Sequence, residues 1–113
     1  MLELRHYLTA DGRDVFGAWL ARLRDANARA RIEVRLGRLE RGLFGDCKAV
    51  GEGVSELRVD WGPGYRVYFC RDGDAIVILL CGGDKRTQAE DIRHAIDYRK
   101  DYEARRGAER GAP

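Results

Sequence analysis

A chain of 113 residues with a formal net charge of +2 has room for one domain around one modest core. Charged residues are 35% of it and nearly balanced in sign, so overall charge favours solubility and selects no partner. Its start, Met1-Leu2-Glu3-Leu4-Arg5-His6, lacks the apolar stretch of a secretory leader, and no apolar run is long enough to cross a bilayer, so a cytoplasmic protein is expected.

The pattern predicts a short first strand over Glu3 to Leu8. Asp11 or Asp14 then offers an N-cap for a helix with Val15, Phe16, Trp19, Leu20 and Leu23 at helical spacing. A break near Asp25-Ala26-Asn27 leads to a second helix, whose apolar stripe is Ile32, Leu36, Leu39 and Leu43. Gly42 and Gly45 mark its end. Arginines crowd this hairpin: Arg22, Arg24, Arg29, Arg31, Arg35, Arg38 and Arg41, against Asp25, Glu33, Glu40 and Asp46. Such a surplus draws phosphate backbones or acidic segments, but for the helix taken alone a solvated face is the reading preferred.

Phe44 to Gly53 reads as a loop carrying Lys48. Val54 to Asp60 reads as a strand with Leu57 and Val59 on one face and Glu56 and Arg58 on the other. Trp61-Gly62-Pro63-Gly64 is a turn signal, Tyr65 to Arg71 a third strand, and Asp72-Gly73-Asp74 a hairpin signal. Ala75 to Cys81 is apolar at almost every position, as a central strand covered on both faces would be. A last helix runs from about Thr87 to Ala104 with Ile92, Ala95, Ile96 and Tyr102 inward, and Arg105 to Pro113 read as a frayed tail. The order β-α-α-β-β-β-α describes an α+β domain over residues 1–104, with a flexible tail at 105–113. Its four-stranded sheet is mostly antiparallel, and a helical hairpin packs mainly on one face.

The chemistry-bearing residues are few. Cys47, Cys70 and Cys81 are odd in number and contain no CxxC pair, so apolar filling in a reducing compartment is the expectation. His6 and His94 have no metal-like spacing, and no phosphate-binding glycine loop or nucleophile elbow occurs. What stands out is a set of cations on adjacent strands. Alternation puts Tyr65, Val67 and Phe69 on one face, read as core, and Arg66 and Tyr68 on the other, read as a basic aromatic surface. If the turn pairs the two strands, Arg58 and Arg66 project from one concave face, with Lys85 and Arg86 just past the following strand. Guanidinium forks suit phosphate oxygens, and phosphodiester cleavage needs its developing negative charge neutralised. RNA brings its own nucleophile, the 2′-hydroxyl, so such a reaction requires alignment and charge more than a cofactor. Tyr68 or Tyr98 could stack on a base, and Lys48 and Arg86 could contact the backbone. A structural alternative stands beside this: Arg58 paired with Glu56 or Asp60, and Arg66 with Asp84.

Three blocks, Val50-Gly51-Glu52-Gly53-Val54-Ser55-Glu56-Leu57-Arg58, Gly64-Tyr65-Arg66-Val67-Tyr68-Phe69 and Leu80-Cys81-Gly82-Gly83-Asp84-Lys85, resemble the RelE/ParE toxin superfamily, nearest its HigB-like addiction module killer branch. The resemblance spans roughly Leu4 to Tyr102. It implies the toxin of a type II toxin–antitoxin system that cuts mRNA on the ribosome without metal or cofactor. The implied partners are the ribosome, mRNA and a cognate antitoxin, a small helix-turn-helix protein. It further implies charge stabilisation by Arg58 and Arg66, and proton transfer or leaving-group stabilisation by Lys85, aided by the neighbouring charge of Arg86. Two alternatives accompany it: a ParE-like poison of DNA gyrase, and a relative that keeps only antitoxin binding.

Overall fold

A computed structural model describes residues 1–111. The elements are β1 (Glu3–His6), α1 (Val15–Arg22), α2 (Ala26–Glu40), β2 (Cys47–Gly51), β3 (Val54–Val59), β4 (Tyr65–Asp72), β5 (Ile76–Asp84), a single 3-10 turn (Lys85–Thr87) and α3 (Gln88–Gly111). Together they make a small α+β domain with one mixed sheet of five strands in the order β1-β5-β4-β3-β2.

The sheet has a strand more than the sequence pattern shows. Cys47–Gly51, expected as loop, pairs antiparallel with β3 as the outer strand β2. It is short, mostly exposed and interrupted by a bulge between Ala49 and Gly51, so it carries almost no apolar alternation to read. At the other edge β1 runs parallel to β5, with Glu3 opposite Ile76 and His6 opposite Leu79. The remaining pairings, β3 with β4 and β4 with β5, are the expected antiparallel meander. Leu80 is the extra residue where the register shifts between the pairs Tyr68–Cys81 and Phe69–Leu79.

Helices cover both faces of this sheet, not mainly one. On the first face Phe16, Ile32 and Leu39 of α1 and α2 close over Leu57, Val67, Phe69, Val77 and Leu79. On the second, Ile92, Ala95 and Ile96 of α3 close over Val54, Tyr68, Cys70, Ile78 and Leu80. Fully burying each such aliphatic or aromatic side chain contributes roughly 1.5–3 kcal/mol before chain entropy opposes it. This two-sided cover explains why β5 is apolar at nearly every position.

Local chemistry sets the helix ends. Asp14 caps α1 by accepting from the Gly17 N–H at 2.9 Å, and Asp25 caps α2 by accepting from Asn27 and Ala28 at 2.9 and 3.2 Å. The second Asp25 oxygen accepts from the Trp61 indole at 3.0 Å, which ties the start of α2 to the turn after β3. The α2 stripe holds for Ile32, Leu36 and Leu39, but α2 stops at Glu40 and leaves Leu43 exposed beyond it. The final helix continues past the expected end at Ala104 to Gly111. Its second half is anchored by polar contacts: Tyr7 donates to Asp101 at 2.6 Å, Tyr102 to Asp72 at 2.6 Å, and Arg106 pairs with Asp72 at 2.9 Å. Of the tail expected at 105–113, the last residues, Ala112 and Pro113, lie outside the described residues. Among the described residues no helix is long and apolar enough to cross a membrane.

Candidate functional site

Arg58 and Arg66 are direct cross-strand partners on β3 and β4. Opposed residues share a face, so both guanidiniums leave the sheet on the α3 side. Alternation along β3 places Glu56 on that face as well, opposite Tyr68 and Lys48. Two like charges directly opposite repel, and each is relieved by its own acid. Arg58 donates from Nε and Nη2 to Asp46 Oδ1 at 3.2 and 3.1 Å. Arg66 turns to Glu56, with Nε 3.5 Å from Oε2, an ion pair without hydrogen-bond geometry. The partners anticipated from sequence, Glu56 or Asp60 for Arg58 and Asp84 for Arg66, are thus replaced.

The turn before β4 binds the third cation. Gly64, at φ +82°, presents its carbonyl to the backbone N–H of Lys85 at 2.9 Å and to Arg66 Nη1 at 3.2 Å. A non-glycine residue is strained at that φ, and an added Cβ would press on Arg66 Nη1 at 3.2 Å. One carbonyl therefore couples the Gly-Pro-Gly turn, the β4 arginine and the start of the 3-10 turn. The result is an open cleft of about 430 Å³ lined by Asp46, Arg58, Asp60, Pro63, Arg66 and Lys85, with other turn residues. Lys85 is exposed at its edge and forms no ion pair among the described residues. Arg35 of α2 braces the rim from behind, donating to the Arg58 carbonyl at 2.6 Å.

Beneath the cleft lies a buried polar group. Glu56 has 0% exposure and accepts from Tyr68 Oη at 3.0 Å and Gln88 Nε2 at 2.8 Å. Burial first, then the Glu56 charge, raises the Tyr68 hydroxyl far above its ordinary value, so it stays protonated and donates. Beside this cluster Asp91, its carboxyl raised mainly by burial, accepts from Thr87 Oγ1 at 2.6 Å.

The structure brings together Arg58, Arg66 and Lys85, and sets Lys48 on the same face on the outer strand. Arg86 is exposed next to Lys85 but closes back on Asp84 at 2.8 Å, which holds the Asp84 carboxyl below its ordinary range. Of the two aromatic candidates, Tyr68 is corrected. Tyr68 is buried under α3, where no base reaches it, because the face read as surface is covered by that helix. Tyr98 stacks on Tyr7 with ring centroids 5.0 Å apart, so that ring face is already occupied. Asp46, Glu56 and Gly64 complete the site and were not among the sequence candidates. Period-2 alternation already put Glu56 with Arg58, but only the register of β4 shows which arginine it meets.

Among the described residues no group of three or more His, Cys, Asp or Glu is arranged to hold a metal ion. Burial raises the Cys70 and Cys81 thiols to about 11 and about 12, which suits apolar filling rather than nucleophilic or ligand chemistry.

Comparison with known proteins changes the family read from the sequence blocks. The family model "Phage derived protein Gp49-like (DUF891)" matches residues 18–100, a different family from the RelE/ParE superfamily and its HigB-like branch. A Haemophilus influenzae (strain ATCC 51907 / DSM 11121 / KW20 / Rd) protein, described only as "Uncharacterized protein", is 51% identical over 80 residues, covering 71% of this chain and 81% of its own. The short blocks alone do not separate one small family from another, whereas a match over most of the domain does. The chain belongs to the Gp49-like phage-derived protein family.

Proposed function

We propose that this protein is a toxin of a toxin–antitoxin pair that cleaves RNA by 2′-hydroxyl attack, acting on mRNA held by the ribosome. One observation carries the reading: Arg58, Arg66 and Lys85, from three different parts of the chain, line one cleft. Membership of the Gp49-like family, which is related to toxins of toxin–antitoxin systems in general, supports it.

The chemistry follows from the cations. The 2′-oxygen attacks phosphorus, the 5′-oxygen departs, and the products are a 2′,3′-cyclic phosphate and a 5′-hydroxyl. The proton of the 2′-hydroxyl leaves to base or water, and one is delivered to the 5′-oxygen. Arg58 and Arg66 hold the non-bridging oxygens, where charge grows in the transition state. Lys85, on the exposed side, serves the leaving oxygen. Lys48 and Arg86 contact neighbouring phosphates. The ribosome enters because the cleft offers little to hold a free strand: Tyr68 is buried and Tyr98 is stacked on Tyr7. Non-specific single-strand binders rely on such aromatic platforms. The antitoxin would silence the site by covering the cations.

A purified translation reaction with a defined message, mapped by primer extension, tests this. New RNA 5′ ends that require ribosomes and vanish with Arg66→Ala are expected. Ends formed without ribosomes would remove the ribosome from the scheme, and their absence with folded protein would overturn RNA cleavage.

A further inference from the structure

Glu56 is an expensive residue to place where it stands. It has 0% exposure on the sheet face that carries Val54 and Tyr68, and a carboxylate there loses hydration that an apolar side chain would not need. Its contacts are directional. Oε2 receives Tyr68 Oη at 3.0 Å and Gln88 Nε2 at 2.8 Å, and faces Arg66 Nε at 3.5 Å. The two neutral donors come from β4 and from the first residue of α3, so sheet and helix both fix the carboxylate. Arg66 is then drawn at two points: Nη1 donates to the Gly64 carbonyl at 3.2 Å, and Nε lies 3.5 Å from Glu56 in an ion pair without hydrogen-bond geometry. Among the described residues Nη2 makes no hydrogen bond, and Arg66 borders the cleft. A guanidinium is a rigid plane, so a hydrogen bond at Nη1 and the pull of a fixed carboxylate near Nε limit where Nη2 points.

We infer that Glu56 is a positioning residue, which acts through Arg66 by holding its guanidinium in the plane that presents Nη2 to a phosphate oxygen in the cleft. This rests on the reading of the cleft as an RNA-cleaving site. In such a site a displacement of about 1 Å in a stabilising group costs about 10²-fold in rate.

The test is a double-mutant cycle on the single-turnover cleavage rate in the purified translation reaction, with Glu56→Gln, Arg66→Ala and the pair together. Glu56→Gln keeps the shape and is expected to slow cleavage by about 10²-fold while leaving the half-saturating message concentration unchanged. In the Arg66→Ala background the same change is expected to have no further effect. Losses that multiply would overturn the inference, since Glu56 would then act independently of Arg66. Gln88→Ala, which removes one donor to Glu56 at the helix start, is expected to give a smaller loss that also disappears with Arg66→Ala. It serves in place of Glu56→Gln if that variant does not fold. A second measurement needs no activity: the Arg66 Nε–H resonance of the full chain. Slow solvent exchange in the wild type that becomes fast in Glu56→Gln supports the positioning contact, and exchange that is the same in both, fast or slow, overturns it. If wild-type protein leaves the message intact, the cleavage reading fails, and the resonance still decides whether Glu56 holds Arg66.

Discussion

Arg58 and Arg66 stand directly opposite each other across β3 and β4, yet their charges are drawn apart, one to an exposed acid and one to a buried acid. The Arg58–Asp46 pair has side chains 38% and 55% exposed, whereas Arg66 and Glu56 are 11% and 0% exposed. Two equivalent-looking arginines in the sequence therefore have different physical positions, and their substitution separates activity from stability.

Arg58→Ala should leave stability within about 1 kcal/mol of wild type, because an exposed ion pair contributes little. RNA cleavage should fall about 10²- to 10³-fold if Arg58 supports the charge of the transition state. Thermal melting and primer extension on the same preparation check both. A large loss of stability would show that the Arg58–Asp46 pair anchors β2 more firmly than its exposure implies.

Tyr68→Phe removes the hydroxyl that donates to Glu56 and leaves the ring in the core. The expected cost is about 1–3 kcal/mol, since a buried acceptor loses a partner. Urea denaturation measures it. An unchanged midpoint would mean that water takes over the hydroxyl's place.

Gly82→Ala should destabilise the fold by about 1–3 kcal/mol through overpacking. A Cβ at Gly82 would overlap the Trp19 ring of α1. Near-wild-type stability in a calorimetric scan would show that the indole moves aside without cost.

Asp25 supplies a prediction in acid. Its carboxyl is held below the ordinary value of 3.8, first by the Trp61 indole and then by the Ala28 N–H. The folded value lies below the unfolded one. Its contribution is therefore complete above the unfolded value and is lost as pH falls through the folded value. Asp25→Asn should flatten the fall in Tm below about pH 4. Melting curves across that range, followed by tryptophan fluorescence, check the slope, and identical slopes would assign the acid transition elsewhere.

Much of this arrangement was legible in the chain because strand alternation is local. Leu57 and Val59, or Val67 and Phe69, declare their face without knowledge of any partner. The same rule put Arg58 and Arg66 on one side, and the Gly-Pro-Gly turn made them neighbours. What alternation does not reveal is what lies over a face. Arg66 and Tyr68 look like one surface until α3 is set down upon Tyr68, and a tyrosine in a sequence carries no mark of being covered. The parallel union of β1 with β5 was equally hidden, since it joins residues about as far apart as the sheet allows. The outer strand β2 is not marked in the sequence, because an edge strand with one bulge and little apolar content resembles a loop. The blocks that carried the RelE/ParE resemblance encode the strand and cleft geometry, which is narrower information than family membership.

The parallel edge has a temporal meaning. β1 is made before the other strands of the sheet, but among the described residues its one neighbour in the sheet is β5, whose pairing residues Ile76 to Leu79 are synthesised after all the intervening strands. β1 must wait for β5, and the long loop that their pairing closes slows that step. The cleft waits with it, because Lys85 follows β5 directly. A growing chain therefore assembles its cluster of cations only once β5 and Lys85 have been made.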